Sequence, residues 1–77
     1  MSTNPDRIVT LISHWLGGHL ATDELRRRID EVGTADLEPG PAEAVEELRQ
    51  ELARAENGER GHLEMVARET LEAVALG

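Results

Sequence analysis

The chain has 77 residues, 31% of them charged, and its 16 acidic residues against eight basic ones give a formal net charge of −8. This length fits one small domain, and the absence of cysteine excludes disulfides, thiolate metal ligands and a cysteine nucleophile. All eight basic residues are arginine, so a phosphate-loop lysine and a Schiff base are excluded as well.

The first predicted helix covers residues 5–16, after a flexible N-terminus at 1–4. Asn4 is predicted to cap it, and Pro5 fits the first helical position, where no backbone N–H is needed. Its large apolar residues share one face: Ile8, Val9, Leu11, Ile12, Trp15 and Leu16. The following Gly17-Gly18 pair favours a left-handed backbone, which predicts the end of the helix there.

The second predicted helix covers 22–32, with Thr22 as its N-cap and Gly33 as its terminator. Leu25, Ile29 and Val32 form the stripe that is predicted to be buried. Three consecutive arginines, at 26–28, suggest an anion site at first sight. Acids four residues away predict instead a set of ion pairs along the helix: Asp23–Arg27, Glu24–Arg28, Arg26–Asp30 and Arg27–Glu31.

A linker is predicted at residues 33–41, because two prolines and two glycines in GTADLEPGP disfavour a continuous helix. Leu37, its one large apolar residue, is predicted to pack on the core.

The third predicted helix, 41–57, places Val45, Leu48, Leu52 and Ala55 at a 3-4-3 spacing, which is typical of a helix that pairs with another helix.

The same helix carries an acidic row, Glu43, Glu47 and Glu51, at a spacing of four residues. Such a row is either a solvated face or a surface for a basic partner.

The fourth predicted helix covers 61–75. Its apolar face is in phase with that of the third, so one long helix is a coherent alternative. The glycines near Asn57-Gly58 favour a break, since each costs a helix about 1 kcal/mol relative to alanine.

These elements predict an all-α fold, a small three- to four-helix bundle built from helical hairpins. The predicted core lies on the apolar stripes of the helices: Ile8, Leu11, Ile12, Trp15, Leu25, Ile29, Leu48, Leu52, Leu63, Val66 and Leu71. No apolar run is long enough to span a membrane, and no signal peptide is recognisable at the polar N-terminus, so the sequence predicts a cytoplasmic protein.

Neither a metal site nor an active site is predicted. The three histidines, His14, His19 and His62, lack the spacing of four residues that places two imidazoles on one helical face. Ser13 precedes His14, but successive helical residues do not face each other, and no carboxylate sits in an apolar stretch. The sequence therefore predicts a protein that is not an enzyme and has no cofactor.

The charge is uneven: residues 33–77 hold eleven acids and four arginines. This excess disfavours nucleic acid and attracts a basic surface. The sequence predicts a small protein–protein interaction module, an adaptor, regulatory or inhibitor-type accessory protein that binds through a helical face. The predicted interface residues are Trp15, Glu43, Glu47, Glu51, Met65 and Leu76. Trp15 is alternatively core, and self-association as a homodimer around Met65 and Leu76 is a further prediction.

A second class of function comes from a resemblance. The segment RIVTLISHWLGG, residues 7–18, is similar to the first helix of acyl carrier proteins, which are short, acidic, four-helix domains with a long first loop. Residues 30–37, DEVGTADL, resemble the surroundings of that family's modification site. The family has a serine after the aspartate, which carries the phosphopantetheine arm, whereas here Leu37 follows Asp36. The resemblance implies an acyl-carrier-like domain that lacks this serine.

Overall fold

The fold is an all-α bundle, as the sequence predicts. A computed structural model describes residues 3–54 and 60–76, and these ranges contain four helices and no strand. The helices are α1 (Asn4–Leu16), α2 (Thr22–Val32), α3 (Pro39–Arg54) and α4 (Arg60–Leu76). None of these helices is both long enough and apolar enough to cross a lipid bilayer.

Each helix packs against two neighbours, in the cyclic order α1–α2–α3–α4–α1. The side-chain contacts show that neighbours run in opposite directions. At one end of the α3–α4 pair, Thr70 Oγ1 donates to the Ala44 carbonyl at 3.2 Å, and at the other end His62 meets Glu51. Arg60, at the start of α4, reaches the carbonyl of Trp15 near the end of α1 at 2.8 Å. The chain is therefore an up-down-up-down bundle.

The hairpin formed by α3 and α4 excludes the alternative of one continuous helix. A single straight helix would separate residues 44 and 70 by about 39 Å, because each residue adds about 1.5 Å. The predicted break at Asn57-Gly58 and the predicted seam residue Ala55 lie outside the described residues.

The ends of α1 are fixed by the residues that flank it. Thr3, and not the predicted Asn4, is the N-cap, and its Oγ1 accepts from the Asp6 N–H at 3.3 Å. Asn4 is already helical, and its amide reaches Asp36 Oδ2 at 2.6 Å. At the other end, Gly18 has a φ of 80°, and the His19 and Gly18 N–H groups donate to the carbonyls of His14 and Trp15. These two bonds form the Schellman motif that the glycine pair favours.

Thr22 is not the cap of α2, which corrects the prediction. The N-cap is Ala21, which makes no side-chain capping bond, and Thr22 is the first helical residue. Its hydroxyl is engaged elsewhere, because it accepts from the indole Nε1 of Trp15 at 3.0 Å. Gly33 ends the helix as predicted, with a φ of 73°.

The third helix begins at Pro39, two residues before the predicted start at Pro41. Both prolines and Gly40 thus lie in the first turn, where the backbone N–H groups have no intrahelical partners and proline removes nothing. The Ala42 N–H closes this turn onto the Glu38 carbonyl at 2.9 Å. The linker between α2 and α3 is therefore shorter than the predicted 33–41.

The core is aliphatic apart from one tryptophan. Nine of the eleven predicted core residues are buried, whereas Leu11 and Leu71 are only partly buried and pack on its edge. Val45, Ala67 and Val74 complete the buried apolar cluster. Among the described residues Thr70 is the one buried polar residue, and its hydroxyl donates to the Val66 carbonyl at 2.9 Å. In the described ranges no buried side-chain nitrogen or oxygen lacks a partner, so the interior itself offers no ligand site.

Candidate interaction surface

Trp15 lies inside the bundle and offers no surface to a partner. Its side chain is 0% exposed, so the core alternative for this residue is correct and the interface alternative is not. Its indole N–H donates to Thr22, and the guanidinium of Arg60 stacks over its ring at 4.3 Å from the centroid. The tryptophan therefore joins α1, α2 and α4.

The arginines of α2 are bound to carboxylates on their own helix. Arg27 and Arg28 both donate to Glu24, and these bonds hold the pKa of the Glu24 carboxyl below its ordinary value. Arg27 also lies 3.9 Å from Glu31, as predicted. Asp30 instead accepts from Arg49 of α3 at 2.7 Å, a contact between helices that replaces the predicted pair with Arg26. These pairs balance most of the charge on α2.

The grooves on this side of the bundle carry mixed charges. One of about 300 Å³ lies between α1 and α2, lined by Arg7, Thr10, Leu11, Arg28, Glu31 and Val32. Another, of about 290 Å³, lies between α2 and α3 beside the Arg49–Asp30 pair. Both are open clefts in which arginines and carboxylates lie together.

The three histidines lie on different elements of the bundle. His14 is exposed near the end of α1, His19 is exposed in the following loop, and His62 is exposed on α4. His62 contacts Glu51, whose side chain is only 15% exposed and is also covered by Arg54. Over residues 3–54 and 60–76, no group of three or more histidine, cysteine or acidic side chains is close enough to hold a metal ion.

The outward side of the α3–α4 hairpin differs from the rest of the surface. Met65 and Leu76 are the exposed large apolar residues of the described chain, at 53% and 80% exposure. Glu43 and Glu47 of α3 are exposed as well. Glu51, the third member of the predicted acidic row, is separated from the other two because Arg54 and His62 cover it.

Helical spacing adds two further carboxylates to this side. Met65, Glu69, Glu72 and Leu76 follow one another at intervals of four, three and four residues, so they line one stripe of α4. All four are exposed. The Thr70–Ala44 contact places Glu43 and Glu47 level with the middle of this stripe. We call the six residues the outer face: Glu43, Glu47, Met65, Glu69, Glu72 and Leu76.

The charge of the outer face is unbalanced. Within the described ranges, no arginine or histidine nitrogen lies within 4.0 Å of the carboxylates of Glu43, Glu47, Glu69 or Glu72. Arg68, one helical turn before Glu72 on α4, is exposed and is 4.0 Å from Glu64. Four exposed carboxylates therefore stand together with two exposed apolar side chains.

Comparison of the chain with protein-family models, with curated proteins and with solved structures finds no match. The resemblance to acyl carrier proteins consequently rests on the quoted segments alone. At the position where that family has its serine, Leu37 is partly buried and packs against the core. Four members of the outer face, Glu43, Glu47, Met65 and Leu76, are predicted from the sequence. Glu69 and Glu72 are not, although their spacing between Met65 and Leu76 already indicates them.

Proposed function

We propose that this protein is an interaction module that binds a basic protein partner through the outer face. The observation that carries the proposal is the combination, on one side of the α3–α4 hairpin, of two exposed apolar side chains and four carboxylates that have no arginine or histidine nitrogen within 4.0 Å in residues 3–54 and 60–76. Exposed apolar residues beside charges of one sign are a frequent form of recognition surface. The opposite sign on the partner would steer the encounter and the apolar contacts would hold the complex.

A partner of different sequence is favoured over a second copy of the chain. The 3-4-3 seam of α3, which suggested helix pairing, is used within the chain, since Val45, Leu48 and Leu52 are buried in its own core. If two copies of the chain paired through their outer faces, four carboxylates of one copy would face four of the other, and none of the twelve residues of these faces is an arginine. Such an arrangement is costly, because like charges that approach each other in an interface repel.

A photo-crosslinking experiment tests this proposal. Benzoylphenylalanine replaces Met65 in one variant and Ser13, on the exposed side of α1, in a matched control. Both variants are expressed in the cells that naturally make the protein and are irradiated. We expect the position-65 variant to form an adduct with one other protein, which mass spectrometry identifies. We expect no adduct from the position-13 variant. Equal adducts from the two positions, or none from position 65, would contradict the proposal, and an adduct of two copies would replace it with a homodimer.

A further inference from the structure

The dimensions of the outer face specify the partner more closely. Met65 and Leu76 are eleven residues apart on one straight helix, which separates them by about 16 Å along its axis. An occupant that contacts both apolar side chains therefore extends over about three helical turns. Glu69 and Glu72 lie between the two apolar ends, and Glu43 and Glu47 lie beside them on α3. The face thus reads apolar, acidic, acidic, apolar along α4.

We infer that the partner presents one amphipathic helix, an inference that rests on the proposed function. The binding face of this helix carries, in order, an apolar, two basic and an apolar residue. A helix with apolar residues at its first and twelfth positions and arginines at its fifth and eighth has the same spacing as α4. Its arginines then meet the carboxylates in the middle, and its apolar residues meet Met65 and Leu76. Arginine suits this role because its guanidinium binds carboxylates in a bidentate manner.

Other occupants fit the face less well. An extended peptide needs a free strand edge for its backbone hydrogen bonds, and the described ranges are helices and connections without a strand. Nucleic acid is repelled by the same four carboxylates. A second copy of the chain presents the same stripe of two glutamates between two apolar residues, so its carboxylates would face carboxylates. A basic amphipathic helix satisfies both the charge and the length of the stripe.

The direct test is a titration with a synthetic peptide. The probe is a capped, helix-forming peptide of about 18 residues. Counted from its first leucine, it has a second leucine at the twelfth position and arginines at the fifth and eighth. Two comparison peptides replace the arginines by glutamate or the leucines by alanine. Binding to the full chain is measured by isothermal titration calorimetry at low and at physiological salt. We expect the basic peptide to bind, the glutamate peptide not to bind, and added salt to weaken the complex.

Matched protein variants locate the binding. Glu69→Gln with Glu72→Gln should weaken binding of the basic peptide about tenfold, because the two ion pairs that the arginines form with these carboxylates are lost. Asp23→Asn with Glu31→Gln changes the net charge equally on α2 and should change the affinity less than about twofold. Circular dichroism verifies that both variants remain helical.

The outcomes separate the two proposals. Equal weakening by the α2 variant, or equal binding of the basic and glutamate peptides, would overturn the inference that a basic helix occupies the outer face. Failure of every peptide, combined with a crosslinked adduct from position 65, would also overturn it and leave the interaction function in place. Absence of that adduct contradicts the proposed function itself, whatever the peptides do.

Discussion

Replacing Thr22 by valine removes the hydrogen-bond acceptor of the one tryptophan in the chain. The substitution keeps the shape of the side chain and exchanges the hydroxyl for a methyl group. The indole N–H of Trp15, which now donates to Thr22 Oγ1 at 3.0 Å, would then lack a partner beside a fully buried ring. The expected cost is therefore that of an unsatisfied donor and not that of a lost contact.

The size of this effect follows from the burial of the pair. An unsatisfied buried donor costs about 1–3 kcal/mol, and the partial exposure of Thr22 places the loss at about 1–2 kcal/mol. A domain of this length has a free energy of unfolding of about 4–12 kcal/mol. The loss is therefore a large part of the whole, and it corresponds to a fall in Tm of about 5–15 °C.

Urea denaturation measures this difference directly, with the fluorescence of Trp15 and the far-ultraviolet circular dichroism as two probes. Thr22→Ser is the matched control, because it keeps the acceptor oxygen and should lose less than about 0.5 kcal/mol. If valine and serine at position 22 destabilise the protein equally, the hydrogen bond does not hold the tryptophan and the described packing of α1 on α2 is wrong.

Three further pairs of measurements test the packing, the helix ends and the charges. Leu52→Ala should cost about 2–5 kcal/mol because Leu52 is buried, whereas Leu76→Ala, at an exposed position, should cost less than about 0.5 kcal/mol in the same urea titration. Gly18→Ala should destabilise by about 1 kcal/mol because its φ is 80°, whereas Gly61→Ala, in a helix with open space around the added methyl group, should stabilise by about 0.5 kcal/mol. Equal effects within either pair would contradict the assigned burial or backbone conformation. The pKa of Glu24 is lowered by its bonds to Arg27 and Arg28, so this carboxylate stabilises the fold above the ordinary glutamate pKa and loses that contribution as the pH falls through its own lowered value. Glu24→Gln should therefore lower the Tm at neutral pH and not at pH values below the pKa of Glu24, and a difference that is independent of pH would contradict this assignment.

The helical type of the elements was accessible from the sequence because each apolar stripe repeats with the helical period, whereas the choice between three and four helices stayed open. The exposure of Met65 and Leu76 followed from the same geometry, since they lie opposite the buried stripe of their helix. These properties depend on residues within one helix. For this reason a single sequence was sufficient to predict them.

Some errors are shifts of one or two residues at helix ends, at Asn4 and Pro41, and the others involve contacts between helices. Thr22 is a good cap by composition, but its hydroxyl is engaged by Trp15 from another helix. Asp30 is placed to pair with Arg26, but Arg49 of the neighbouring helix reaches it. The stacking of Arg60 on Trp15 joins residues 45 positions apart, and no spacing rule predicts it. Local patterns do not specify which helices are neighbours, so these partners were not predictable.

The two sides of the bundle differ in how their charges are paired. On α2, arginines and carboxylates pair with one another or with α3, which leaves little net charge there. On the outer face the carboxylates stand without a cation in the described ranges. Four carboxylates thus lie where the two large apolar side chains are exposed, and this coincidence is the basis of the interaction proposal.

The most direct test of that proposal is a map of where a basic helix binds. Amide resonances of the isotope-labelled protein are followed by nuclear magnetic resonance while the basic peptide is added. We predict shifts concentrated in α3 and α4 around Glu47, Met65 and Glu69, and unchanged resonances on the exposed sides of α1 and α2. Shifts concentrated instead on α1 and α2, or an unchanged spectrum at saturating peptide, would contradict the assignment of the outer face as the interaction surface.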